Sequence, residues 1–331
     1  MLGVRKISYR RCLPLAVFCL AGVLSLVPGP AGAVPWSFAV AGDDRSDPLH
    51  SPDPTGINTV VFKHLLHEIA GRQPRFLLFT GDLVVGENPL TRARIETQFD
   101  NWTNLVQTEA PSLTILPVRG NHETKGDPDG QLWLKIFKPG LDALHVTYFP
   151  GEEGFSYSYS APDHPETVII GVDQFLPGAA HRVNLTQLDH ALHDARERKA
   201  AHIFVFAHEM AFTCGSHGDT ENMAAFPRLR DQFVNMLADY GCQYFLAGHD
   251  HAYDWMLIHH PEWPADRVLN QIVAGTAGAP FYPDKQYWGD HHGYTLTRKE
   301  HRQNTHGYLW VTMDDRAATN QVSCAFVPVT P

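Results

Sequence analysis

The amino-acid sequence predicts a layered α/β fold, a pair of mixed sheets with helices outside them. Three observations predict it. Short apolar runs, rich in β-branched and aromatic residues, recur along the chain and end at Gly, Asp, Asn or His. Amphipathic stretches with helical spacing lie between those runs. The C-terminal part breaks the alternation, with strand-like runs that no helix follows, which a mixed sheet pair accommodates.

The strand candidates are 37–41, 76–80, 114–118, 168–172, 203–206, 244–246 and 271–273, joined by 157–160 and by 307–313 and 322–328 in the tail. Val60, Val61, His64, Leu65 and Ile69 form one face of the first helix. Ile95, Phe99, Trp102, Leu105 and Val106 stripe the second, and Leu185, Leu188, Leu192 and Ala195 the third. Leu229, Phe233, Met236, Leu237 and Tyr240 stripe the fourth, with Gly241 placed to end it. These stripes read as core packing.

The first segment is expected to lie outside the fold. Arg5, Lys6, Arg10 and Arg11 precede the apolar run 13–27, then helix-breaking Pro28-Gly29-Pro30 and small Ala31-Gly32-Ala33. This is the layout of a secretory signal peptide, cleaved near Ala33. As a membrane anchor the run is too short and too interrupted. Residues 34–331 are then expected to form a single catalytic domain, exported to a periplasm or secreted, with no stable membrane insertion.

The chain has 331 residues, 44% hydrophobic and 19% charged, enough for a sizeable core and unlike a disordered or fibrous composition. Loss of residues 1–33 removes four positive charges and no acid, lowering the net charge from −10 to −14. So acidic a surface argues against nucleic-acid backbone binding. Cys214, Cys242 and Cys324 remain, for which one disulfide and one buried thiol are expected, and no CxxC zinc pattern occurs.

Nearly every strand run ends on a candidate ligand: Asp43 after Gly42, Asp82 after Gly81, Asn121-His122-Glu123 after Gly120, His208 after Ala207, and His249-Asp250-His251 after Gly248. The carboxyl ends of strands are where open α/β sheets bind ligands. Asp, Asn and neutral His suit Mn, Fe or Zn, and a set without thiolate fits a catalytic rather than a structural site. Two cations about 3.5–4 Å apart can clamp the attacking and leaving oxygens of a displacement at phosphorus.

With these five segments in this order, the sequence resembles the calcineurin-like metallophosphoesterases, and within them the purple acid phosphatase branch. That family's motifs run GD, GD, GNH(D/E), H and GHxH. The extension through Ala252-Tyr253 and the stretch 274–280 are also similar. The resemblance covers 36–315 and implies an α/β/β/α sandwich. It implies that Asp82 bridges two metal ions. Asp43 and His251 would complete the first site, and Asn121, His208 and His249 the second. It implies that His122 acts on the substrate as general acid, and that a metal-held hydroxide attacks a small phosphate monoester.

Two positions depart from the pattern. The family's first motif is usually D-x-H, and here the third residue is Arg45, which cannot ligate. Arg45 is expected to grip a phosphate oxygen bidentately instead. The branch's tyrosine is replaced by Val85, so no purple iron–tyrosinate centre is expected. A phosphodiesterase of the same fold and a non-catalytic metal- or phosphate-binding member remain open as alternatives. Loops 44–56, 214–222 and 281–294 are the candidates for setting substrate choice. A serine hydrolase is disfavoured, because Gly215-Ser216-His217-Gly218 lacks the G-x-S-x-G spacing.

Glu123 and Asp250 are expected to support the ligands rather than join them. Asp173 is expected to form structural hydrogen bonds, and Asp44 to be a solvated acid or a substitute ligand. His259, His260, His291 and His292 are weighed as residues bordering the site. Asn101 and Asn184 fit a glycosylation pattern.

Overall fold

The computed structural model describes residues 34–48, 53–86, 91–215, 217, 221–282, 291–314 and 321–330. The signal-peptide reading of 1–33, and parts of the three substrate-choice loops, lie outside the described residues.

In chain order the first sheet contains β1 (Trp36–Ala41), β2 (Leu77–Phe79) and β3 (Ile115–Pro117). Helices α1 (Thr59–Gly71) and α2 (Arg92–Glu109) connect these strands, which run parallel, with Val40 beside Leu78 and Leu78 beside Leu116. Such β-α-β connections place the helices on one face. After β3 come the short α3 (Asn121–Gly126) and α4 (Gln131–Ala143).

The second sheet opens with β4 (Thr147–Tyr148), β5 (Tyr157–Tyr159) and β6 (Thr167–Gly171). Helix α5 (Leu185–Glu197) leads to β7 (His202–Phe206), and α6 (Pro227–Asp239) to β8 (Tyr244–Ala247). The chain continues through β9 (Tyr253–His259), β10 (Leu269–Ala274) and β11 (Thr295–Arg302). It then returns to the first sheet with β12 (Gly307–Asp314) and β13 (Gln321–Pro328). The sheet orders are β13-β12-β1-β2-β3 and β11-β9-β10-β8-β7-β6-β5-β4, both mixed.

Among the described residues, three apolar clusters hold the layers together. Between the sheets, Phe38, Val40 and Leu78 meet Ile169, Phe204, Phe206 and Leu246. Outside the first sheet, Phe62, Leu65, Phe99 and Trp133 pack from α1, α2 and α4. Outside the second, Leu188, Leu192, Phe233 and Leu237 pack from α5 and α6. The layers are therefore α/β/β/α, as the sequence predicts. Gly241 follows α6 with φ of 63°, the left-handed turn expected of it.

The expected disulfide does not form: Cys214, Cys242 and Cys324 are free thiols. Cys214 and Cys242 belong to the apolar cluster outside the second sheet, while Cys324 packs against the one between the sheets. Cys242 Sγ donates to the Ile203 carbonyl at 3.2 Å, and burial pushes this thiol up to about 12.

Candidate metal centre

Parallel neighbours end at the same height, and that gathers the site. Asp43 and Asp82 follow β1 and β2; Asn121 and His122 open α3 after β3. From the other sheet, His208 follows β7, and His249 and His251 follow β8. The structure brings all seven, with Arg45, to one place between the sheets. Asp43, Asp82 and His249 take φ of 62°, 54° and 70°, a left-handed conformation that costs side-chain-bearing residues energy. The neighbouring glycines leave room for them. A Cβ on Gly120 would lie 2.2 Å from Asp82 Oδ1, and one on Gly248 would lie 2.3 Å from Asp43 Oδ2.

Backbone carbonyls fix the imidazole tautomers. His208 Nδ1 lies 2.8 Å from the Thr80 carbonyl, His249 Nε2 2.9 Å from that of Glu221, and His251 Nδ1 2.6 Å from that of Pro280. A carbonyl only accepts, so each of these nitrogens carries the hydrogen and the other nitrogen is a bare lone pair. His208 Nε2 then faces Asn121 Oδ1 at 3.0 Å, His249 Nδ1 at 3.0 Å and Asp82 Oδ1 at 3.4 Å. These are acceptors facing acceptors, a donor set that fits a cation. A second group joins Asp43, Asp82 and His251, whose ligand atoms lie within 4.8 Å of one another; His251 Nε2 is 3.6 Å from Asp43 Oδ1.

The charges match that reading. Burial, with the charge of Asp82, pushes Asp43 well above the usual carboxylate range. Burial also acts on Asp82, but His122, His208 and Arg45 outweigh it and hold this carboxyl below its ordinary value. Burial lowers His208, and lowers His249 and His251 further. Neutral imidazoles beside ionised carboxylate are what a metal takes.

His122 stands just outside both donor groups. Its Nδ1 donates to the Val85 carbonyl, leaving Nε2 at 3.7 Å from Asp82 Oδ2 and 3.2 Å from the Lys125 ammonium. Burial, with Arg45 and Lys125 adding to it, lowers the imidazole to about 3. Arg45 is buried; its Nη2 donates to the Tyr282 hydroxyl at 3.0 Å and its Nε lies 3.7 Å from Asp82 Oδ2.

The supporting acids behave as expected. Glu123 accepts from the amides of Gly120 (2.6 Å), Asp82 (2.9 Å), Leu83 (2.8 Å) and Val84 (3.3 Å), tying the second and third segments together. Burial and Asp82 push its carboxyl up to about 8, against the pull of those amides. Asp173 pairs with buried Arg119 at 2.7 and 3.0 Å, joining the ends of β6 and β3. Asp44 is fully buried, so it is not a solvated acid, and it stands outside the three-donor group. His260 packs against Trp263 and Tyr294, and His292 meets Asp231. His259 packs on Trp263 and His291 on Phe212. In these contacts none of the four meets a candidate ligand. Asn184 caps α5, and Asn101 is half-buried on α2.

Three site residues escaped the sequence reading. His217 stacks on His249 with ring centroids 3.8 Å apart, and its Nδ1 meets Asp250 Oδ1 at 2.9 Å. Tyr282 stacks on His251 at 4.5 Å. Lys125 sits one turn after His122, a spacing that puts both on one helix face and was legible in principle. His217 and Tyr282 lie in loops, where no periodicity marks them.

Comparison with known proteins bears on the family and the fold. The calcineurin-like phosphoesterase profile matches residues 50–253. No curated protein matches the chain. Among solved structures, a purple acid phosphatase from yellow lupin (Lupinus luteus) seeds is similar at 15% identity and a TM-score of 0.61, over 91% of this chain and 52% of that one. The chain thus spans about half the length of that phosphatase. PhoD is similar at 9% identity and 0.54, over 91% of this chain and 73% of its own. GAP50, the anchor in the inner membrane complex of Plasmodium, is similar at 12% and 0.52, over 89% and 84%. At these identities the neighbours show the fold, and the profile shows the lineage: this chain belongs to the calcineurin-like phosphoesterase family.

Proposed function

We propose that this chain is an exported, metal-dependent phosphoesterase that hydrolyses small phosphate monoesters. One observation carries the reading: acceptor atoms of Asn121, His249 and Asp82 stand 3.0–3.4 Å from the bare Nε2 of His208, beside a buried, neutral His122. When bound, metal supplies an activated water and positive charge for the transferring phosphoryl group.

The chain's own residues do the rest. Arg45, held by Tyr282, presents its remaining N–H groups to a phosphate oxygen, bidentate in the way guanidinium favours. His122, anchored through Nδ1, directs Nε2 at the departing oxygen. Lys125 Nζ, 3.2 Å away, delivers a proton to Nε2, which passes to the leaving alkoxide. Beside α3 a cleft of about 390 Å³, lined by Thr124, Phe175, His181, Arg182 and Phe226, gives the leaving group a place. Cationic Arg45 and Lys125 favour a dianionic monoester over a monoanionic diester.

Export and the single catalytic domain over 34–331 belong to the same proposal; among the described residues no helix is long and apolar enough to cross a membrane. The test is hydrolysis of p-nitrophenyl phosphate and its bis-ester by protein reloaded with manganese, iron or zinc, beside Asn121→Ala. Metal-dependent turnover of the monoester, lost in the variant, is expected. Preference for the bis-ester makes the chain a phosphodiesterase, and no turnover with any metal overturns the reading.

A further inference from the structure

We propose that Arg45 is a built-in cation of this centre, so that the chain binds one metal ion, at Asp82, Asn121, His208 and His249, instead of two. The inference rests on the metal-dependent reading above and sharpens it.

The donor counts differ. Three acceptor atoms, from Asn121, His249 and Asp82, stand around His208 Nε2, giving that side four donor residues, while three residues, Asp43, Asp82 and His251, make up the other group. Beside that poorer group stands the guanidinium. Arg45 is 4% exposed, and its Nε, 3.7 Å from Asp82 Oδ2, has no hydrogen-bond partner. It is therefore turned toward a carboxylate of the cluster without being consumed by it. Tyr282 holds both parties, accepting from Arg45 Nη2 at 3.0 Å and stacking on the His251 ring at 4.5 Å. The Arg45 backbone is fixed by an antiparallel bridge to Ile57, so the side chain starts from an anchored point.

Charge decides between one ion and two. Asp43 and Asp82 bring at most two negative charges to the ligand set. A dication and a guanidinium, which does not lose its proton, already exceed them by one, a surplus suited to an anionic substrate. A second dication would share the Asp82 carboxylate with that guanidinium, in a buried place where like charges repel strongly.

The experiment counts metal. Manganese(II) is titrated into the mature protein, with stoichiometry read by native mass spectrometry and by electron paramagnetic resonance. Expected is one manganese per chain with the six-line spectrum of an isolated ion. Arg45→His, and independently Arg45→Ala in case the first does not fold, are expected to take a second manganese, with the broadened spectrum of a coupled pair. Two coupled ions in the unaltered chain overturn the inference while leaving the hydrolase reading intact, as does a count of one in both variants. A chain that binds no manganese, iron or zinc overturns both.

Discussion

The two halves of the centre use the same kinds of side chain and differ in what faces them. At the His208 half, three acceptor atoms face the bare Nε2, because the Thr80 and Glu221 carbonyls hold the hydrogens on the far nitrogens of His208 and His249. At the His251 half, a permanent cation stands beside the acceptors. A donor set becomes a metal site only when its second layer denies the ligands other partners. By that criterion the first half is the stronger candidate site, and the second is partly answered by the protein itself.

Removing one ligand from each half separates them. His208→Ala is expected to weaken manganese binding by more than the roughly 10–100-fold typical of outer-layer changes, whereas Asp43→Asn weakens it less than tenfold. Calorimetric titration checks this, and equal losses would erase the asymmetry. The shared wall comes next. Glu123→Ala strands four buried amides and is expected to cost about 3 kcal/mol or more in denaturant unfolding, through both halves at once.

A smaller effect follows from His122, lowered to about 3 by burial. An unfolded histidine titrates near 6.5, so between these values the unfolded chain binds a proton that the folded chain refuses, and stability falls as pH falls. His122→Asn is expected to reduce that slope between pH 4 and 6 by about 1.4 kcal/mol per pH unit, measured by urea unfolding without metal. An unchanged slope would mean the imidazole is charged in the fold. Smallest is His217→Ala. His217 stacks on His249, with the rings of His251 and Tyr282 at 6.0 and 5.4 Å, and its loss is expected to lower turnover roughly tenfold with the manganese count unchanged. A lost ion would make His217 a ligand.

Much of this was legible in the sequence, for a physical reason. A strand that ends on glycine and then Asp, Asn or His announces itself twice, by an apolar run and by its terminator. Four of the five ligand-bearing segments have that form, and the fifth places His208 after Ala207. What was missed lacked one signal or the other. Strand β11 is a polar, half-exposed edge whose Arg298, Lys299 and Arg302 suit an edge and hide the strand period. Strand β9 is buried on both faces and does not alternate. Helix α4 contains Pro139 and Gly140, which read as a break, yet Leu132, Trp133, Phe137 and Leu141 bury one face of it. Helix α3 is six residues long, too short for any stripe. Cysteine pairing failed because sequence spacing carries no information about which layer a thiol enters.

The central claim is that converging bare lone pairs at His208, His249, Asn121 and Asp82 are a metal site. The most direct measurement is anomalous diffraction from crystals soaked in manganese. The account predicts a peak within about 2.0–2.3 Å of His208 Nε2 and His249 Nδ1. A peak held by Asp43 and His251 alone, with none at His208, would contradict it.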